Sequence, residues 1–258
     1  MHRFSVFAAA LALGAALSLL GPVRAETART LPKSFEEEHK ARPGIATYKK
    51  LFEAPHPPDT LNHDLADYVE SRSVEVASQL YACDSVQLLD WKNGPRPILD
   101  RLIEEEILSG QITDVWRTSV AVDACGRKSL INYIGKIYPD GQTTMEETLR
   151  GLTYTSPAIQ ADMVPLVERM ADLTIEAEGR PCPTVYRPLV IDAFVDASTI
   201  DGLVHVFGSV MEGTWSESWS VLYCDVIMEV DVTFTAEGGG TKLLIGQGKV
   251  ISEKGSEL

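Results

Sequence analysis

Trp116-Arg117-Thr118-Ser119-Val120-Ala121-Val122-Asp123-Ala124-Cys125 and Trp215-Ser216-Glu217-Ser218-Trp219-Ser220-Val221-Leu222-Tyr223-Cys224 are two versions of one pattern. In both, a Trp stands nine positions before a Cys. Each of those cysteines has another 42 positions earlier, Cys83 and Cys182, and these four are all the cysteines in the chain. The equal separations favour the pairs Cys83–Cys125 and Cys182–Cys224 over the cross-link Cys83–Cys182 with Cys125–Cys224. Sequence alone does not fix connectivity. Closing a loop of this size contributes about 4 kcal/mol in the chain-entropy description. No two cysteines lie close enough for the paired spacing of a zinc site.

Working outward, both copies follow a helix signal and precede strand signals. In the first, the spacing predicts helices over 65–81, with Asn62 or Asp64 as its cap, and 97–108. A strand follows, with Trp116, Thr118, Val120 and Val122 on one face. Ile131, Tyr133 and Ile137 share a face of the next strand, Pro139-Asp140-Gly141 forms a turn, and a strand returns over 142–148. In the second, Ser156-Pro157 opens a helix whose apolar stripe is read as Ile159, Met163, Leu166, Val167, Met170 and Leu173. Strands are expected over 189–196, 203–207 and 241–252. Another carries Cys224, Val226, Met228, Val230, Val232 and Phe234 on a buried face, with Asp225, Glu229 and Asp231 opposite.

The two halves share an order, helix, Cys, variable region, Trp strand, Cys, strand, glycine turn, strand, which points to duplication. One conflict stands: the region around Ile98 reads as helix and its counterpart near Ile200 as strand. The fold class is therefore α+β, with two tandem, duplicated helix-plus-antiparallel-sheet units, each with one disulfide. They occupy 61–155 and 156–258, and a groove between them is the expected place for a ligand.

Ahead of the units lie two further segments. Met1-His2-Arg3, an apolar run over 4–20, a Gly21-Pro22 break and Val23-Arg24-Ala25 have the form of a secretory signal cut after Ala25. The run is short and Ala/Gly-rich for a membrane anchor. No cysteine near the cut suggests lipid attachment, and no twin-arginine pair is present. Residues 26–60 are Pro-rich and read as an extended arm with a short helix around 34–42, its Tyr48, Leu51 and Phe52 able to dock on the body.

Removing residues 1–25 takes away Arg3 and Arg24 and no acid, leaving 21 basic and 37 acidic side chains, a charge of −16. So acidic a chain does not seek nucleic acid or anionic lipid. With export, the cysteine count favours disulfides in an oxidising compartment. The reading is a periplasmic or secreted protein, bacterial by the style of its signal, with no stable membrane span after cleavage.

The catalytic search returns no G-x-S-x-G elbow, H-E-x-x-H, P-loop or dinucleotide fingerprint. His205, within Val204-His205-Val206, reads as a buried structural histidine. His56 and His63 flank Pro57-Pro58-Asp59, with Asp64 adjacent, and read as a polar linker rather than a metal site. Asp225, Glu229 and Asp231 read as a solvated face, Ser216, Ser218 and Ser220 as an exposed polar edge, and Trp116 and Trp215 as core packed on the disulfides. No cofactor or metal is expected, and catalytic residues remain unassigned. The expected function is an exported binding or interaction protein of the bacterial cell envelope, its partner a small ligand or an envelope protein. The alternatives are an envelope hydrolase using acids or His205 in the groove, and a secreted effector or structural factor acting through the arm.

Overall fold

The computed structural model describes residues 30–53, 63–180, 182–183, 185–237 and 240–253. The signal segment and the stretch carrying His56 and Asp59 lie outside the described residues, as do the side chains of His63 and Asp64. The chain is α+β. It opens with α1 (Lys33–His39), α2 (Ile45–Glu53) and α3 (His63–Tyr81). A first sheet follows: β1 (Val86–Pro97), a helix α4 (Arg101–Leu108), β2 (Asp114–Ala124), β3 (Arg127–Ile137) and β4 (Thr143–Glu147). These four strands form an antiparallel meander in sequence order.

The short β5 (Gly151–Leu152) then leads to α5 (Pro157–Ala177). Next come β6 (Leu189–Val206), β7 (Ser209–Tyr223), β8 (Val226–Glu237) and β9 (Gly240–Glu253). They make a second sheet ordered β5-β6-β7-β8-β9, with only β5 parallel to its neighbour. A long helix packs on each sheet, and α4 packs on the first as well, with Ile103 and Ile107 against Val115 and Ile134. Val69, Val76 and Ala77 of α3 bury against Val120, Val122 and Tyr133. Met163, Val167 and Ala171 of α5 bury against Trp219, Met228 and Val230.

Disulfides join Cys83 to Cys125 and Cys182 to Cys224, with Cα separations of 5.9 and 5.7 Å. Each ties the chain just past a helix to the turn between the second and third long strands of its unit. Both turns are two-residue hairpins with left-handed backbone, Cys125-Gly126 (φ 54° and 86°) and Cys224-Asp225 (φ 51° and 62°). That geometry matches the natural twist of paired strands. Cys224 and Asp225 therefore belong to a turn, not to the strand expected to run through them.

Other expectations are corrected. On α5 the buried stripe is Ala158, Met163, Val167, Ala171 and Ile175, whereas Leu166 and Leu173 face outward at 43% and 40% exposure. The two alanines let the helix lie close to the sheet, so the covered face is narrower in side-chain size than hydrophobicity alone suggested. The tryptophans do not pack on the disulfides. Nine residues of strand separate them from the cysteines by roughly 30 Å. Trp116 instead lies over the backbone of Gly135, its cross-strand partner, and Trp215 stacks on Phe234 at 4.9 Å. The serines 216, 218 and 220 are half-buried on a central strand rather than an edge, Ser216 bonding Thr233 across β8 at 2.9 Å.

The stretch 26–60 has its expected short helix, α1, but is not an extended arm over the rest of its described part. Pro43-Gly44 breaks it into α1 and α2, and Gly44 N–H donates to Leu108 O at 3.1 Å, seating the break against the end of α4. Leu31 and Tyr48 are buried, and Tyr48 Oη donates to Glu104. Strand β1 carries no alternating signal. It is an edge strand with three register shifts against β2, where Pro and Gly are tolerated.

Candidate functional site

The helix–strand conflict near Ile98 resolves into the device that joins the units. In the second unit β6 and β7 continue through it as one long hairpin, while the first unit inserts α4. The hairpin tip reaches the α4 core. Phe207 is buried there among Leu99, Ile103 and Ile107, with its ring 5.0 Å from that of Phe52. Phe207 O accepts from Leu99 N–H, and Ser209 Oγ donates to Leu99 O at 2.9 Å. Next door, one carboxylate caps two helices. Asp100 Oδ1 accepts from Leu102 and Ile103 N–H at the start of α4, and Oδ2 from Ala158 N–H at the start of α5.

A second junction is built around Asp192 on β6. It is 5% exposed, and its Oδ2 accepts from Tyr81 Oη at 3.0 Å and Ser129 Oγ at 2.9 Å, both from the first unit. Burial pushes its carboxyl up to about 6, against which the hydroxyls and Ala193 N–H pull down. Gly151, at φ 86°, brings the inter-unit chain onto β6, where Ala193 N–H donates to Arg150 O. Asn132 of β3 donates to Leu149 O and Gly151 O at 2.6 and 2.9 Å.

A third anchor is Glu217, central on β7 and 1% exposed. Oε1 accepts from Tyr154 N–H at 2.8 Å and Trp215 Nε1 at 2.9 Å. Oε2 accepts from Trp219 Nε1 at 3.0 Å, and Thr153 Oγ1 reaches both oxygens. Burial raises its proton affinity, and these donors oppose the rise. The indole and backbone N–H groups only donate, so both Glu217 oxygens serve them as acceptors.

These anchors fix residues 147–155 beside α5 and leave a groove of about 400 Å3 between the units. One wall is a stripe of α5, Pro157, Ala161, Val164 and Glu168, at helical spacing along one face. The other is Leu149 with Leu189 and Val190 of β6. Leu189 is half exposed. At one end Glu147 receives Arg150 through Nε at 2.9 Å and Nη2 at 2.5 Å. At the other, Glu168 makes no hydrogen bond to the described residues. Partial burial and the neighbouring Asp172 carboxylate raise its proton affinity, offset in part by Arg187.

Glu147 also borders a second, polar cavity of about 410 Å3, with Tyr68, Arg72, Glu75, Tyr133 and Met145. There Arg72 pairs with Glu75 at 2.7 Å and approaches Glu147 at 3.9 Å. The two cavities thus share one carboxylate as their partition.

The structure keeps the sequence-selected candidates apart. His205 is half-buried, set edge-on to Tyr154 with centroids 5.1 Å apart, and burial and Arg117 lower its proton affinity. Glu229 and Asp231 lie on the face of β8 away from α5, and Asp225 is in its turn. None of these lines the groove. The four cysteines are joined in pairs away from it. Among the described residues, no three His, Cys, Asp or Glu side chains are grouped to hold a metal ion, and no helix is long and apolar enough to cross a membrane. Glu217 and Asp192 were missed. Trp215, Glu217 and Trp219 alternate on one strand face, and a carboxylate flanked by two tryptophans on a buried face was the available signal. Asp192 had none, because its partners come from α3 and β3.

The chain matches no protein-family model, no curated protein and no solved structure.

Proposed function

We propose that the protein is exported, cut after Ala25, and binds a ligand in the groove between two units that arose by duplication. The observation that carries the binding reading is the groove itself. It is apolar along its length and charged at its ends, the usual make-up of a small-molecule site. Its walls are held by hydrogen bonds through Asp100 and through the buried Asp192 and Glu217, so it is formed before a ligand arrives. Duplication is supported by the shared order of helix, Cys, two strands, Cys turn and two strands. It is supported too by the matched tryptophan registers, Trp116 opposite Gly135 and Trp215 opposite Phe234. Export into an oxidising compartment fits two disulfides and the absence of an unpaired thiol.

The test is native mass spectrometry of the chain purified from outside the cytoplasm, beside an Ala161→Trp variant that fills the groove. The expected result is a copurified or added small molecule held at one per chain and lost in the variant, with the melting temperature unchanged. Retention of that molecule by the variant would place binding elsewhere and overturn the reading.

A further inference from the structure

The geometry points to a ligand class for this groove: an amphiphile with a cationic nitrogen head and a short apolar body, the head seated at Glu168 and the body along Val164, Leu149 and Leu189. The inference rests on the groove being a binding site, as proposed above. Pro157 and Glu168 lie eleven residues apart on α5, so the groove wall extends about 16 Å at 1.5 Å per residue. Its two ends differ electrostatically. At the Arg150 end, cation and anion are already joined, and Arg150 has both Nε and Nη2 engaged by Glu147. An incoming anion there meets a guanidinium whose charge Glu147 already pairs. At the other end Glu168 has no hydrogen-bond or salt-bridge partner among the described residues, lies partly buried against apolar surface, and faces the like charge of Asp172. Arg169 is turned to Asp172 at 3.7 Å, and Arg187 only partly offsets the negative charge on Glu168.

A desolvated carboxylate without a bonded partner gains from an ammonium or guanidinium, and Val164 and Leu189 beside it give that cation's alkyl chain somewhere to lie. The whole chain carries a net charge of −14, so the long-range field also draws cations rather than anions. A neutral or anionic amphiphile would cover the same apolar wall but leave Glu168 unpaired in a drier environment, which costs binding energy.

Either a free alkylamine or a basic side chain of a short apolar peptide presents this head. Isothermal titration at low salt with octylammonium, octanol, octanoate and the peptide Leu-Leu-Lys-Leu distinguishes them. Octylammonium is expected to bind more tightly than octanol or octanoate. Glu168→Gln should weaken it to the octanol level, a loss of roughly five- to tenfold for a half-buried charge contact. Ala161→Trp should abolish all groove binding, and added salt should weaken octylammonium but not octanol. Tighter peptide than amine binding assigns the head to a polypeptide, and the reverse assigns it to a free amine. Octanol or octanoate binding as tightly as octylammonium, with Ala161→Trp blocking it, would overturn the cation assignment and leave the groove reading standing. Binding unaffected by Ala161→Trp, or no binding by any probe, would overturn both.

Discussion

Replacing Asp192 by Asn tests the inter-unit junction through its pH dependence. In the fold this carboxyl titrates near 6 because it is buried, against 3.8 for an ordinary aspartate. A group whose proton affinity is raised by folding adds stability in its protonated form. That contribution is fully present below about pH 3.8, where both states are protonated, and is lost as pH rises through 6. Its size follows from the same shift, about 3 kcal/mol at ~1.4 kcal/mol per tenfold change in proton affinity. Asn removes the charge while its carbonyl oxygen still accepts from Tyr81 and Ser129. Its amide would face Ala193 N–H, but that group already donates to Arg150 O at 3.0 Å, so the conflict is small. Urea unfolding followed by tryptophan fluorescence at pH values from 4 to 8 measures the difference between the two proteins. The variant is expected to be more stable than wild type by up to about 3 kcal/mol at pH 8, the gap closing over most of its range by pH 4. A gap independent of pH, or a variant less stable at pH 8, would refute the assignment of a strained, ionised carboxylate to this junction.

Three further outcomes are expected. Glu217→Gln places an amide against indole or backbone donors and costs about 2–3 kcal/mol, the size of a lost charge-assisted hydrogen bond. The Trp215 and Trp219 indole N–H resonances should move upfield together in the proton spectrum, and unchanged resonances would deny the shared acceptor. Phe207→Ala empties the socket beside Phe52 and costs about 3–4 kcal/mol. Limited proteolysis should then cut first near the β6–β7 tip, and cutting elsewhere would contradict the clamp. Replacing either cysteine pair by serine removes a loop of equal span, 42 positions in both units, so each double variant should lose about 4 kcal/mol in urea unfolding. Unequal losses would mean that the two bridges constrain different unfolded ensembles.

Local signals fixed more of this fold than of its site. Periodicity placed α3, α5, β2 and β8, because each packs one face and shows it in the spacing of Val69 and Val76, or of Val230 and Val232. The cysteine offsets favoured the two disulfides that form, because a bridge between a helix end and a hairpin turn depends on the length of chain between them. The first helix of the arm, expected around 34–42, and the docking of Tyr48, Leu51 and Phe52 were legible, whereas α2 and β1 were not. α2 lies in a Pro-rich stretch that reads as coil, and β1 is an irregular edge strand whose Asn93-Gly94-Pro95 reads as a turn.

The groove belongs to the other class. Its walls come from residues 147–150, from α5 and from β6, and they meet only because Asp100, Asp192, Glu217 and Phe207 join elements up to about 110 positions apart. A sequence reveals a residue's own periodicity, since neighbours three or four apart on a helix or two apart on a strand share its face. It does not reveal which distant surface will desolvate a carboxylate. So the α+β order and the acidic charge were determined by sequence alone, and the cysteine offsets favoured the pairing that the structure holds. The burial that raises Asp192, the four donors around Glu217 and the partial burial of Glu168 in the groove were decided by tertiary packing, which sets the solvent each charge sees.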